Sequence, residues 1–470
     1  MESAKNLSLP RALPAAAAYA AMIASAVGLF LLIVHFGGSL TAPADAAVTS
    51  AGMAGKTASH FNALVHVLVA MTAMIALGRV LSWLFRWIEQ PPVVGEVVAG
   101  IVLGPSLLGR VWPEASAFIL PAGVAPYLAV VAQVGVILYM FLVGLELNGN
   151  LLRERAHASV AMSHASIVAP FLLGGLLALM LYPRLATSDV PFSSFSLFLG
   201  IAMSITAFPV LARILTDCGM TKSHIGVIAL SCAATDDVTA WCLLALVVGV
   251  AKANLNEALM VVVWTLAYIT MMLFVARPVI TKLSRRCDGA SLTPGITAAV
   301  FMAVLISSLA TEWIGIHAIF GAFLLGAVIP HDSTIAREMS HKLEDLVTIL
   351  LLPAFFAYTG MRTQIGLVTG VESWLICGLI IVVATLGKFG GTFAAARVTG
   401  LGWRDSAALG TLMNTRGLME LVVLNIGLDM GVISPTLFAM MVLMALVTTM
   451  TTSPVLSWLL PEFRRARVAG

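Results

Sequence analysis

Asp236 and Asp237 stand side by side within residues 225–250, a stretch that otherwise carries no charge. The segment IGVIALSCAATDDVTAWCLLALVVGV is long enough to cross a bilayer. An ionised carboxylate at the membrane centre costs roughly 2.5–3.5 kcal/mol on insertion scales. Packing does not call for two of them, so the pair reads as a place to hold a proton or a cation. Neighbours on a helix diverge by about 100°. One acid can then meet a fixed counter-charge while the other faces a water-filled cavity. An intramembrane aspartyl protease would instead need two carboxylates opposed across a water; adjacent residues point apart, which argues against that chemistry.

The counter-charge on offer is Lys388, in LGKFGGT, where Gly387, Gly390 and Gly391 let another helix approach closely. A buried lysine needs an acid partner, and pairing with one of the two aspartates is expected. Pro209 interrupts SITAFPV, where it removes a backbone donor and clashes with the carbonyl of Ile205. The freed carbonyls, with the hydroxyls of Ser204 and Thr206, form a group of hard oxygen ligands suited to an alkali cation. Asn414-Thr415-Arg416-Gly417 occupies the matching part of a later segment. Two helices interrupted at the midplane are therefore expected to cross beside the aspartates. Arg416 and Glu420, spaced i, i+4, read as a structural clamp. Glu96, Glu146 and His317 read as helix-end or interfacial residues rather than ion ligands.

Positioning these residues needs a membrane-spanning scaffold, and the composition supplies one. Of 470 residues, 60% are hydrophobic and 10% charged, against about 25% charged in soluble domains. Fourteen hydrophobic windows bounded by Pro, Gly and charge predict spans near 15–36, 60–84, 93–109, 125–147, 156–182, 194–215, 222–250, 256–280, 293–312, 315–331, 344–362, 371–396, 403–428 and 433–459. The fold class is an all-α polytopic membrane protein of about 13–14 transmembrane helices. The first window reads as an uncleaved helix rather than a signal peptide, because Ala44-Asp45-Ala46-Ala47 is a poor and distant cleavage site. Five cysteines show no CxxC and no zinc spacing, so they read as packing residues. No enzymatic activity, cofactor or nucleic-acid partner is expected.

Positive charge is lopsided across the spans. Nineteen Lys and Arg, among them Arg79, Arg213, Arg285 and Arg286, fall in loops on the side of both termini. Five, including Arg184 and Arg362, fall opposite, and Lys388 and Arg416 lie inside spans. Both termini are therefore expected to be cytoplasmic, in a multi-pass protein of the cell membrane. A repeat also emerges. Leu199-Gly200 to Met203 matches Leu409-Gly410 to Met413, Gly95 to Pro105 resembles Gly315 to Pro330, and Phe141 to Gly144 resembles Phe356 to Gly360. Each pair is seven spans apart, an odd number, so the second copy is inserted upside down. The expected organisation is an extra N-terminal helix and loop over 1–59, a first repeat over 60–250, a linker helix over 251–292, a second inverted repeat over 293–459 and a short cytoplasmic tail over 460–470. Inverted repeats with midplane sites characterise secondary transporters.

Together, ATDDVTAW, GLELN, GIHAIFGAFLLGAVIP, GKFGGT and NTRGLMELVVLNIG resemble the second branch of the monovalent cation/proton antiporters, over roughly residues 60 to 459. The resemblance implies two inverted six-helix repeats in a homodimer, with a scaffold domain and a moving core that holds two crossed, unwound helices. It implies that Asp237 binds the alkali cation, Na⁺ or K⁺, in competition with H⁺, and that Asp236 pairs with Lys388. Thr206 and Thr235 are implied to lie close to the ion. Exchange of one cation for two protons, and so net charge movement, is expected. The competing class is a proton-uncoupled monovalent cation channel. Some relatives carry a nucleotide-binding domain after the last helix; nucleotide regulation is not expected here.

Overall fold

The structure, a computed structural model, describes residues 12–43, 63–88, 90–146, 156–188, 190–217, 220–221, 223–252, 255–287 and 292–460. The expected tail beyond residue 460 and most of the loop ahead of residue 63 lie outside the described residues. Among the described residues every regular element is helical. Each of the fourteen windows holds a helix or a broken pair. They are α1 (Ala12–Gly37), α2 (Ala63–Trp87), α3 (Pro92–Leu103), α4 (Ala125–Glu146), α5 (Ala156–Leu185), α6 with α7 (Phe192–Ser204, Phe208–Asp217) and α8 (His224–Lys252). Then follow α9 (Leu255–Met271, carried on through Arg277–Cys287), α10 (Pro294–Ile314), α11 (Ala318–Val328), α12 (Thr334–Asp345, carried on through Leu352–Arg362), α13 (Gly370–Val398), α14 with α15 (Trp403–Met413, Leu418–Asp429) and α16 (Pro435–Leu459).

Ten helices among the described residues are long and apolar enough to cross a membrane. The other four windows hold the two broken pairs, the 11-residue α11 and the aspartate-bearing α8. Two long helices absorb a proline without breaking. In α9 a π-helical turn, Met272–Ala276, precedes Pro278, and in α12 another, Leu346–Leu351, precedes Pro353. The extra residue in each turn moves the carbonyl that a proline ring would otherwise strike.

The packing has the symmetry that an inverted repeat requires. Helix α3 packs on α12, and α4 on α11. Under the repeat α3 corresponds to α11 and α4 to α12, so these two contacts are images of one another. Helix α5 packs on α13, its own counterpart. Four of the glycines shared by the two copies, Gly104, Gly144, Gly326 and Gly360, sit at the first two of these contacts. A Cβ at Gly144 would fall 2.9 Å from Gly326 Cα and from Ala327 N, leaving no room for a side chain. Gly144→Val is accordingly expected to wedge α4 off α11 and lower the melting temperature of the purified protein. An unchanged thermal transition would contradict this close approach.

Two packing groups result: α2, α3, α4, α10, α11 and α12 on one side, and α5, α6, α8, α13, α14 and α16 on the other. Helix α15 packs with α16 and α6, so it belongs with the second group.

Candidate functional site

The contact between α5 and α13 places the lysine. Gly387 and Gly391, one turn apart, face α5: a Cβ at Gly387 would meet Pro170 Cα at 2.7 Å, and one at Gly391 would meet Ala165 O at 2.7 Å. Gly390 faces open space and takes no part in the close approach, because it lies off that helix face. Lys388 is thereby held fully inside the protein, and its Nζ donates to Asp236 Oδ2 at 2.8 Å. Three hydroxyls complete the shell. Ser163 Oγ donates to Asp236 Oδ1 at 2.5 Å, and Ser166 Oγ and Thr206 Oγ1 donate to Oδ2 at 2.8 Å each. Four donors reach one carboxylate, which offers about four lone-pair sites.

Asp237 is the opposite case. It is 2% exposed, yet neither of its oxygens receives a hydrogen bond among the described residues. Its neighbour is therefore saturated while it is bare. The hydroxyls expected near the ion donate their protons to other groups. Ser204 Oγ donates to the carbonyls of Gly200 and Ile167, and Thr235 Oγ1 to that of Ser231. Thr206 is brought to Asp236 rather than to Asp237.

The two breaks do cross. Ala207 N, between α6 and α7, donates to Thr415 O, between α14 and α15, at 3.0 Å. The first break differs in cause from a proline kink. The chain leaves the helix after Ser204, with Ile205 extended at φ −73°, ψ 137°. Pro209 comes later, in the first turn of α7, where its missing N–H is not needed; its side chain lies outside the described residues. The carbonyls freed at the end of α6 go to a cation of the protein itself. Arg416 Nη1 donates to Ala202 O at 3.1 Å and Nη2 to Met203 O at 2.7 Å. Arg416 Nη1 also reaches Glu420 Oε2 at 2.8 Å, in the first turn of α15.

Arg416 therefore sits against the negative end of one half-helix and Glu420 at the positive end of another, which the helix dipoles favour. Thr449 of α16 brackets the second break, accepting from Arg416 N at 3.0 Å and donating to Arg416 O at 2.6 Å. Thr415 Oγ1 donates to Thr452 Oγ1 at 3.4 Å. Asn414 lies in the same break, buried, with its Oδ1 unpaired among the described residues.

A cleft between the two packing groups leads toward this crossing. At one end it opens into a cavity of ≈ 280 Å³, lined by Arg79, Glu96, Tyr139 and Thr348 on one side and by Val210, Arg213 and Leu418 on the other. Tyr139 stands within electrostatic reach of Asp237. Glu96 thus faces a cavity rather than a helix end, although α3 puts it only one turn from Pro92. At the other end only ≈ 30 Å³ remains, lined by Ala132, Gln133, His317, Tyr358, Asn425 and Asp429 among others. The cleft is wide at one end and narrow at the other.

Residues 70–460 match the family model described as sodium/hydrogen exchanger, transmembrane. The chain belongs to the sodium/hydrogen exchanger family. It is similar to the Na⁺/H⁺ antiporter NhaS4 of Synechocystis sp., 42% identical over 403 residues, which are 85% of this chain and 98% of that protein. It is also similar to cation/H⁺ antiporter 18 of Arabidopsis thaliana, at 38% identity over 91% of this chain and 53% of the relative. The K⁺/H⁺ antiporter 1 of Saccharomyces cerevisiae is 31% identical over 88% of this chain and 49% of its own length. The chain thus spans nearly all of the Synechocystis relative and about half of the Arabidopsis and yeast ones. The sodium proton antiporter MjNhaP1 of Methanocaldococcus jannaschii shares the fold, with a TM-score of 0.63 at 14% identity, over 86% of this chain and 99% of that one.

Ser163 and Ser166 were not legible as site residues. The one signal was their i, i+3 spacing, which puts both hydroxyls on the same face of α5. Thr449 carried no signal at all, because its role depends on where another helix breaks.

Proposed function

We propose that this chain exchanges a monovalent cation, Na⁺ or K⁺, for protons by alternating access, and that Asp237 is the group both ions occupy in turn. The observation that carries the reading is the division of labour between two neighbours: Asp236 holds four donors and Asp237 none. A buried carboxylate without donors is unfavourable as a bare charge. A proton or an alkali cation neutralises it, and each excludes the other. That competition is the exchange. The relatives named as Na⁺/H⁺ and K⁺/H⁺ antiporters support the same chemistry.

Lys388 and Asp236 form a buried ion pair beside the site. Release of a second proton from that pair makes the cycle electrogenic, two protons per cation. The membrane potential then contributes about 2.3 kcal/mol per charge per 100 mV. With both termini cytoplasmic, the wide end of the cleft, marked by Arg79 and Arg213, faces the cytoplasm. Large apolar side chains on the outer faces of α1, α2, α9 and α10, among them Leu31, Leu68, Phe274 and Trp313, are exposed. They suit the lipid bilayer and the second copy of a homodimer.

The test is dissipation of an imposed pH gradient in proteoliposomes across a cation series. Saturable dissipation on adding Na⁺ or K⁺ is expected. A channel would instead carry a current that reverses at the cation's own equilibrium potential and leaves the gradient in place. Lys388→Ala is expected to leave weaker, electroneutral exchange, seen as loss of response to a clamped voltage. Full voltage-sensitive transport in that variant would contradict the second-proton role.

A further inference from the structure

The narrow end of the cleft is held by a small polar zip between the two packing groups. Arg362, the last residue of α12, places Nη1 2.6 Å from Asp429 Oδ1 at the end of α15. The same nitrogen donates to Asn425 Oδ1 and to Tyr358 OH, at 3.2 Å each, and the guanidinium lies over the Tyr358 ring at 5.2 Å. Asn425 Nδ2 in turn donates to Thr359 Oγ1 at 3.0 Å. Tyr358 and Arg362 are spaced i, i+4 on one helix, and Asn425 and Asp429 i, i+4 on the other, so one face of each is engaged.

We propose that Arg362, Asp429 and Asn425 form the latch that keeps this end of the cleft shut, and that its rupture is the step that opens the site to the opposite side. The inference deepens the alternating-access reading and rests on it. Three features place the latch there. It joins α12 of one packing group to α15 of the other, so no relative movement of the groups at this end leaves it intact. Its partners line the ≈ 30 Å³ remnant of the cleft, whereas the ≈ 280 Å³ cavity lies at the other end.

The third feature concerns the carrier of the latch. Asp429 closes the helix whose start supports the second break, with Arg416 in the break and Glu420 in the helix's first turn. Movement of α15 at the latch is thus carried along one rigid 12-residue helix to the crossing beside the aspartates. The anchor on the other side is firm. Ser106 Oγ donates to Thr363 O at 2.5 Å and accepts from Ile365 N at 3.0 Å, tying the chain just past Arg362 to the chain just past α3.

The latch is built to release. Asp429 is 47% exposed and Arg362 20%, so the pair is strong enough to bias the cleft but is not locked into a dry core. Gln133 and His317 are the other polar groups lining this end of the cleft. A ligand-free protein with this pair intact should spend most of its time closed at this end.

The experiment is reciprocal cysteine accessibility in purified protein, with a membrane-impermeant maleimide. One reporter is Ala132→Cys in the closed end and the other is Thr348→Cys in the open cavity, each corrected for labelling of the parent protein. Asp429→Asn is expected to raise labelling at 132 by roughly two- to fivefold, the range of a partly exposed charge pair, and to lower it at 348. Asp429→Glu should restore the wild-type pattern, and Arg362→Gln should reproduce that of Asp429→Asn. Labelling at 132 that stays unchanged in both Asp429→Asn and Arg362→Gln would overturn the latch. So would a rise at both ends together, which would mark loosened packing instead. The assay needs no transport, so its failure is distinguishable from failure of the exchange reading, which the pH-gradient assay tests.

Discussion

Asp237→Asn is expected to bring cation/proton exchange down to the level of protein-free vesicles while the protein still folds. The amide has nearly the same shape as the acid. It carries no charge to hold an alkali cation and no carboxyl group to take up a proton. Because Asp237 receives no hydrogen bond among the described residues, the substitution breaks none of those seen. Removing an unpaired buried carboxylate should leave the melting temperature equal to or above that of the wild type. The combination is diagnostic: a dead transporter that is at least as stable as its parent. A variant that is inactive because it is unfolded would show the reverse in a thermal scan, and that outcome would deny Asp237 its special place.

Arg416→Ala is expected to have the largest effect on stability. It leaves Glu420 as a buried charge without its partner, and breaking such a pair typically costs about 3–5 kcal/mol. It also strips the carbonyls of Ala202 and Met203 of their donor at the end of α6. The expected result is a large fall in the thermal transition and loss of the crossed geometry on which the aspartates depend. Arg416→Ala combined with Glu420→Leu should recover part of that stability, because the uncompensated charge is gone, but not all, because the carbonyls remain uncapped. Equal stability of Arg416→Ala and wild type would mean that the clamp is not what holds the crossing.

How much of this was legible in the residues follows physical lines. Hydropathy pointed to a helix or a broken pair in each of the fourteen windows, because a bilayer demands long apolar helices whatever they pack against. The odd offset of the repeat gave its inversion, and the mirrored contacts of α3 with α12 and α4 with α11 obey it. Charge in an apolar context pointed to Asp236, Asp237 and Lys388, since nothing local explains such residues. Hydroxyls were harder to read. Ser163, Ser166 and Thr449 look like ordinary small helix residues, and their value depends on which helix lies opposite.

Ser204 and Thr235 show the converse. A hydroxyl on a helix has a nearby carbonyl one turn back, and both residues donate to it rather than to the acid. Pro209 marked the right segment but not the right residue for the break, because a proline disturbs the turn before it and is harmless in the first turn of the next helix. Arg416 and Glu420 were readable as a pair through their i, i+4 spacing. That the arginine would also cap α6, far away in sequence, was not readable, because it depends on the crossing itself.

The central claim is that one buried carboxyl group holds either a proton or an alkali metal. Its most direct test is proton release on cation binding, without turnover. Purified protein in a weakly buffered solution at mildly alkaline pH is titrated with NaCl or KCl, against choline chloride as control, while a pH indicator records released H⁺. Saturable acidification is expected in the wild type and none in Asp237→Asn. Cation binding detected by calorimetry without acidification, or acidification that persists in Asp237→Asn, would contradict the assignment.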